Sequence, residues 1–137
     1  MRYQSSTSMP VVPHPDAAMP TSTATGMWAC DLATEHLTWT DGVYDLFEFP
    51  RGSVLDRGAT AARYTHESRI ALECLRMAAI RDKTGFTLDT EIQVGSGTRW
   101  IRIVAQVECD DGKAIRLFGS KSDVSHEHAI GLAHANR

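Results

Sequence analysis

Three consecutive segments between Gly85 and Asp123 alternate apolar and polar residues, and short Gly- or Asp-containing breaks separate them. The apolar side of the first segment is formed, with one threonine included, by Phe86, Leu88, Thr90, Ile92 and Val94. The second segment repeats the pattern from Trp100 to Cys109, and the third begins at Ile115. A period of two indicates strands with one buried face, and short turns indicate antiparallel neighbours. The sequence therefore predicts an antiparallel meander whose apolar face is covered by upstream residues.

Composition limits the chain to a few classes. With 137 residues, 42% hydrophobic and 23% charged, it has the size and make-up of one globular domain. The net charge of −3 gives no general attraction to nucleic acid or acidic lipid. There is no apolar run of the ~18 residues that a membrane span needs. We expect neither nucleic acid nor membrane as a partner.

The cysteines and the N-terminus indicate in which cellular compartment the protein is found. The three cysteines are far apart, no CxxC occurs, and the N-terminus lacks the layout of a signal peptide. We therefore expect a cytoplasmic chain in which Cys30, Cys74 and Cys109 are buried, inert thiols.

Three regions follow from the distribution of prolines and apolar residues. Residues 1–25 hold four of the five prolines among many Ser and Thr, which is typical of a disordered or flexible leader. Residues 26–125 form the folded domain. Residues 126–137 are a C-terminal tail or the start of a helix, which Asp123 or Ser125 can cap.

The elements upstream of the meander are two strands and then helices. Met27–Leu32 and Leu37–Thr40 are predicted to pair as a hairpin. A short helix carries four apolar residues, which are Val43, Tyr44, Leu46 and Phe47. Ser53–Tyr64 is weakly specified, and the longest helix runs from Thr65 to about Asp82 as a cover for the meander. Two strands, helices and three strands indicate an α+β fold.

Six short motifs, in this order, resemble a PAS domain that ends in a PAC-type motif. The first is G-M-W-A-C-D-L at 26–32, and L-T-W-T at 37–40 and Y-D-L-F at 44–47 follow. The others are T-H-E-S-R at 65–69, R-W-I-R at 99–102, and the stretch from Gly112 to Gly119 with its closing D-V-S at 123–125. The resemblance implies a five-stranded antiparallel sheet of order 2-1-5-4-3 with helices on one face. It departs from the family at Thr65 and His66, where His and Pro are usual, so no role transfers to His66.

The resemblance also implies a cavity between sheet and helices that holds a small molecule or nothing. The candidates for its lining are Trp39, Tyr44, Phe47, Cys74, Met77, Ile101, Ile103, Leu117 and Phe118. Dense packing into an ordinary core is the alternative for each of them.

No obligatory cofactor is expected, although haem and flavin are left open. Haem needs an axial His or Met, and Met77 is the inward candidate, while no histidine falls at a clearly buried helical position. The N-C-R-F-L-Q signature of the flavin-binding light sensors is absent. His126 and His128 lack the further ligands of a metal site, so no metal is predicted.

The sequence contains no catalytic motif of the kinds G-x-S-x-G, H-E-x-x-H or Gly-rich phosphate loop, and we expect a protein that is not an enzyme. A small isomerase-like α+β enzyme is the enzymatic alternative, but such folds open with helices. The resemblance implies a sensory module that relays its signal at Asp123, Val124 and Ser125. Such a module acts on a signalling protein in trans or is part of a larger sensor.

Oligomerisation gives the second hypothesis for function, a homodimerisation or scaffold module with a filled core. Trp100 and Val104 point away from the inner side of their strand, and a monomer seldom exposes two such residues. They are the candidates for the surface of a homodimer.

Overall fold

The computed structural model describes residues 24–135, so most of the predicted leader lies outside the described residues. In chain order the elements are β1 (Thr25–Asp31), β2 (Leu37–Trp39), α1 (Asp41–Phe47), α2 (Arg57–Ala61), α3 (His66–Asp82), β3 (Phe86–Val94), β4 (Gly97–Asp110), β5 (Lys113–Asp123) and α4 (Ser125–Ala135). Every strand and helix foreseen from the sequence is present, and α2 is a short helix within the segment that the sequence specified weakly.

The five strands form one antiparallel sheet in the order β2-β1-β5-β4-β3, as predicted. Its register explains why a threonine belongs to the apolar side of β3. Thr90 pairs with Ile101 of β4, is fully buried, and donates its hydroxyl to the Ile101 carbonyl at 3.0 Å. A buried hydroxyl with a partner is tolerated in a core, so the alternation continues through it.

The two flanks of the described chain meet at one end of the sheet. Thr25 pairs with Ser122, and the Asp123 amide donates to the Ala24 carbonyl at 3.0 Å. The start of β1 and the end of β5 lie side by side because these two strands pair antiparallel.

Helix α1 packs directly on β1. Its four apolar residues are all buried. A Cβ on Gly26 would lie 2.5 Å from the Val43 amide nitrogen, so only glycine permits this approach. The helix ends at Phe47, because Glu48 takes the left-handed conformation (φ 58°). Arg99 of β4 then bonds the carbonyl of Leu46 at 2.6 Å.

The face that α3 turns to the sheet differs from the prediction. Met77 is 67% exposed, and Ile70 and Cys74 are exposed as well, so the expectation that Met77 and Cys74 point inward is wrong. The side packed on the sheet carries Ser68, whose hydroxyl accepts from the Glu91 amide at 2.7 Å, and the buried Ala79. Apolar residues occur all round this helix, so a hydrogen bond and a small residue set its rotation.

The cysteines also differ from the prediction. Cys30 is buried, whereas Cys74 on α3 and Cys109 near the end of β4 are exposed. The pairing of β4 with β5 shifts register between Glu108 and Cys109, and Cys109 lies just beyond this irregularity. Only one of the three thiols is therefore a buried one.

Helix α4 packs on the face of the sheet opposite to α1–α3. Trp100 lies on that outer face as predicted, but it is half-buried because the His128 ring of α4 covers it, so the premise that a monomer leaves it bare is wrong. Within residues 24–135, no helix is long and apolar enough to cross a bilayer.

Candidate ligand cavity

A cavity of about 90 Å³ lies between the inner face of the sheet and helices α2 and α3. Its wall is mainly aromatic and aliphatic, with contributions from Trp28, Leu37, Trp39, Tyr64, Leu72, Phe86, Ile103 and Leu117. The strands supply the floor and the helices the roof, so a small molecule inside would touch both layers.

The structure divides the nine predicted cavity residues into three groups. Trp39, Ile103 and Leu117 line the cavity. Tyr44, Phe47 and Ile101 are buried in the core beside it without lining it. The three residues that lie outside both cavity and core are Cys74, Met77 and Phe118.

Phe118 was placed on the wrong side by the sequence prediction. Successive residues of a strand face opposite sides, so Phe118 cannot share the inner side with Leu117. It is half-buried on the outer face, where the Arg116 guanidinium lies 4.6 Å from the centre of its ring.

The residue that the sequence analysis missed is Lys121 of β5. It is 9% exposed and lines the cavity. Its Nζ donates to the Tyr64 hydroxyl at 3.0 Å. Four aromatic rings surround the same nitrogen at 4.9–5.7 Å from their centres, those of Phe47, Trp28, Trp39 and Tyr64. Such rings attract a cation through their negative faces.

Burial controls the protonation of this pair. It lowers the pKa of Lys121 to about 7, and it raises the pKa of the Tyr64 hydroxyl, which therefore stays protonated. No carboxylate of residues 24–131 lies within ion-pair distance of Lys121. The amine is therefore poised between its charged and neutral forms near neutral pH.

Two arginines of the cavity wall are held by carboxylates. Glu35, in the turn between β1 and β2, binds Arg57 at 2.6 Å and Arg76 at 3.0 Å. Glu73 of α3 approaches Arg57 at 3.5 Å. These contacts tie α2, α3 and the β1–β2 turn together around the cavity.

Two further polar groups lie in the wall. The indole N–H of Trp39 is buried and has no hydrogen-bond partner among the described residues. The Cys30 thiol also lines the cavity, and burial raises its pKa, so it is not an activated thiolate. A buried donor without a partner is uncommon and costs free energy unless a water or a ligand accepts from it.

No family model matches the chain, and no curated protein matches it in sequence. Solved structures match it in fold. The N-terminal domain of a diguanylate cyclase with a PAS/PAC sensor from Marinobacter aquaeolei superposes with a TM-score of 0.68 at 23% identity, over 76% of this chain and 98% of that one. A sensory box histidine kinase/response regulator from Burkholderia thailandensis gives 0.66 at 15% identity, over 83% and 90%. The chain has the PAS fold. The PAS domain of the fruit-fly ELK potassium channel is a more distant neighbour, with a TM-score of 0.56 at 13% identity, over 75% of this chain and 89% of that one.

The end of β5 is where this PAS fold connects the cavity wall to α4. Val124 is buried, and its amide donates to the Trp100 carbonyl at 2.8 Å. The Trp100 amide in turn donates to the Ser125 hydroxyl at 2.9 Å, and Asp123 accepts from the Ser125 amide at 2.8 Å. The three residues predicted as relay candidates thus anchor the start of α4 to β4.

Side chains then fix α4 against the outer face of the PAS sheet. Asp89 of β3 holds Arg102 through two hydrogen bonds, of 2.8 and 3.0 Å, and His128 Nε2 lies 2.9 Å from the same carboxylate. Arg102 also reaches Glu127 at 3.1 Å. The arginine contact, more than any other, holds the pKa of Asp89 below its usual range.

The cavity does not supply the haem ligands sought in the sequence. No histidine or methionine is among its described lining residues, and Met77 lies outside it. Some neighbours are light-oxygen-voltage domains, one of them solved in work on a flavin analogue, but at 14% identity this likeness concerns the fold alone. Among residues 24–131 there is also no group of three or more potential metal ligands.

Proposed function

We propose that this PAS-fold chain is a non-catalytic sensory module for signal transduction, which binds a small molecule in its cavity and passes the change to α4. The observation that carries the proposal is a continuity within β5. Lys121 lines the cavity, and four residues later Ser125 begins the helix that packs on the other face of the sheet. A ligand that moves Lys121 therefore acts on the strand that holds α4.

The geometry also supports binding rather than catalysis. The Cys30 thiol in the wall has a raised pKa, and two of the three arginines there, Arg57 and Arg76, are paired with Glu35 and Glu73. A ligand shifts an equilibrium only by its difference in affinity for two states. Here the two states are α4 docked on Trp100 and α4 released.

The three tryptophans of the chain allow both halves of the proposal to be tested at once. Trp28 and Trp39 line the cavity, whereas Trp100 lies under α4. In protein labelled with fluorotryptophan, a metabolite library screened by ¹⁹F NMR should yield a compound that shifts the signals of Trp28 and Trp39 together with that of Trp100. Trp→Phe variants assign the signals.

A matched pair of variants serves as the control. Ala61 lines the cavity and Ala62, the next residue, is exposed. Ala61→Leu should abolish the response, and Ala62→Leu should leave it intact, with circular dichroism confirming that both fold. A library that shifts no tryptophan signal, or a ligand that shifts only Trp28 and Trp39, would refute the relay.

A homodimerisation or scaffold module is the second candidate, and one observation favours it. Ile70, Cys74 and Met77 are spaced as one stripe along α3, and all three are exposed. A second copy of the chain would bury this stripe more readily than Trp100, which His128 already covers. In light scattering, Met77→Asp should then yield monomers, whereas Val54→Asp, at a residue that is 97% exposed, should not.

A further inference from the structure

Lys121 is a buried amine with no ion-pair partner among residues 24–131. Its amine is surrounded by four aromatic rings and one hydroxyl, and the titratable groups nearest to it are the Tyr64 hydroxyl and the Cys30 thiol. An ammonium group in such surroundings is costly unless a negative charge accompanies it. An ammonium has three donors, and Tyr64 accepts one of them. The remaining donors are available to a bound molecule.

The rest of the cavity adds positive charge. Among the described residues, its lining holds three arginines, Arg57, Arg69 and Arg76, but only one carboxylate, that of Glu73. Glu35, which bonds Arg57 and Arg76 from the adjoining turn, offsets part of the excess. Cations in a low-dielectric cleft raise the local concentration of anions.

The remaining surface of the cavity is apolar. Beyond the charged groups, a ligand would meet the rings of Trp28, Trp39 and Phe86 and the side chains of Leu72 and Leu117. The indole N–H of Trp39, which has no partner among the described residues, is a second buried donor on a residue of the same wall. These features call for a ligand with one acceptor-rich, negatively charged end and an apolar body.

We propose that the cavity binds a small monocarboxylate with an apolar body, whose carboxylate pairs with Lys121. The inference rests on the proposed function, since it names the class of ligand for the same cavity. A carboxylate matches the site better than a phosphate, because one ammonium lies in the inner wall, Arg57 and Arg76 are already paired with Glu35, and Arg69 is exposed. The apolar body fills the aromatic part of the wall.

Calorimetry with matched acids and amides tests the inference. Butyrate and benzoate should bind the wild-type chain, and butyramide and benzamide should bind at least tenfold more weakly, since about 1.4 kcal/mol corresponds to a factor of ten. Lys121→Met, which keeps the length of the side chain, should lose at least about tenfold in affinity for the acids, the gain of one charged hydrogen bond. Lys113→Met, at an exposed lysine of the same strand, should bind as the wild type does.

The pH dependence supplies a second readout. The charged form of Lys121 is the one that pairs with a carboxylate, and its pKa of about 7 means that this form disappears above neutrality. Affinity for the acids should therefore fall by about tenfold from about pH 6 to pH 8 in the wild type and stay level in Lys121→Met. Of the groups that face Lys121, the Tyr64 hydroxyl and the Cys30 thiol have raised pKa values. The cavity wall also carries Arg57, Arg69, Arg76 and Glu73.

The outcomes separate this inference from the proposed function. Equal binding of acids and amides, equal binding by Lys121→Met, or no heat with either acid at millimolar concentration overturns the carboxylate inference. A neutral ligand that still moves the Trp100 signal would at the same time uphold the sensory function. Acids that bind through Lys121 without moving Trp100 would uphold the inference and refute the relay.

Discussion

Trp100 and His128 lie face to face, with ring centres 4.0 Å apart and planes 4° from parallel. Trp100 belongs to β4 and His128 to the first turn of α4, so the stack joins the strand layer to the helix that follows it. The same histidine reaches Asp89, and two independent contacts therefore hold one side chain. The docked position of α4 depends on this small cluster.

His128→Ala should loosen α4 while leaving the sheet intact. Loss of an aromatic stack and one partly exposed hydrogen-bond contact should weaken docking by about 1 kcal/mol, roughly fivefold in amide exchange within α4. His126→Ala, at an exposed neighbour on the same helix, is the control. Equal exchange rates in wild type and His128→Ala would show that the stack contributes nothing to docking.

Acid should release α4 through Asp89. Its folded pKa lies below the ordinary 3.8, chiefly because Arg102 bonds the carboxylate. A carboxylate of this kind stabilises the folded form above its unfolded pKa, and the contribution is lost as pH falls through the lower folded value. Exchange within α4 should therefore rise below about pH 4 in the wild type. Asp89→Asn should already show fast exchange at neutral pH and no acid phase, whereas Asp110→Asn should behave as the wild type does.

Lys121 should make the stability of the domain increase with pH. Burial lowers its pKa from 10.5 to about 7, so between these values the unfolded chain binds more protons than the folded one. The free energy of unfolding should rise by about 2 kcal/mol from about pH 7 to pH 9, relative to Lys121→Met. Urea unfolding of both variants measures this difference. A parallel pH dependence in the two would mean that Lys121 titrates normally.

Thr90→Val should destabilise the sheet although the two side chains have nearly the same shape. The substitution removes the hydroxyl that donates to the Ile101 carbonyl in the core, at a cost of about 1 kcal/mol. Thr87→Val, on the exposed side of the same strand, should change stability by less than about 0.5 kcal/mol. Urea denaturation compares the two, and an equal effect of both variants would deny Thr90 a special role.

Most of the fold could be predicted because its elements carry local patterns. Alternation located β3, β4 and β5, the Gly- and Asp-containing breaks located the turns, and Thr65 located the start of α3. The sheet order came from the resemblance to PAS domains, since alternation alone does not determine which strands pair. The rotation of α3 could not be predicted, because it depends on the contact between Ser68 and a distant strand.

The cavity was only partly predictable. Its apolar candidates were chosen by residue type, which placed Trp39, Ile103 and Leu117 correctly and Phe118 on the wrong face. Lys121 does carry a sequence signal, because it is in phase with Leu117 on β5. However, a lysine at the end of a strand is usually exposed, and for that reason the sequence analysis did not place Lys121 in the cavity.

The pairing of β1 with β5 has a mechanical consequence. Tension applied between residues 24 and 124 would pull on two antiparallel strands from the same end, so their hydrogen bonds would open one after another, as in a zip, rather than shear together. After Thr25–Ser122, the next residue pair to separate would be Gly26–Lys121. A pull of this kind would open the cavity at Lys121 before most strand pairs of the sheet had separated.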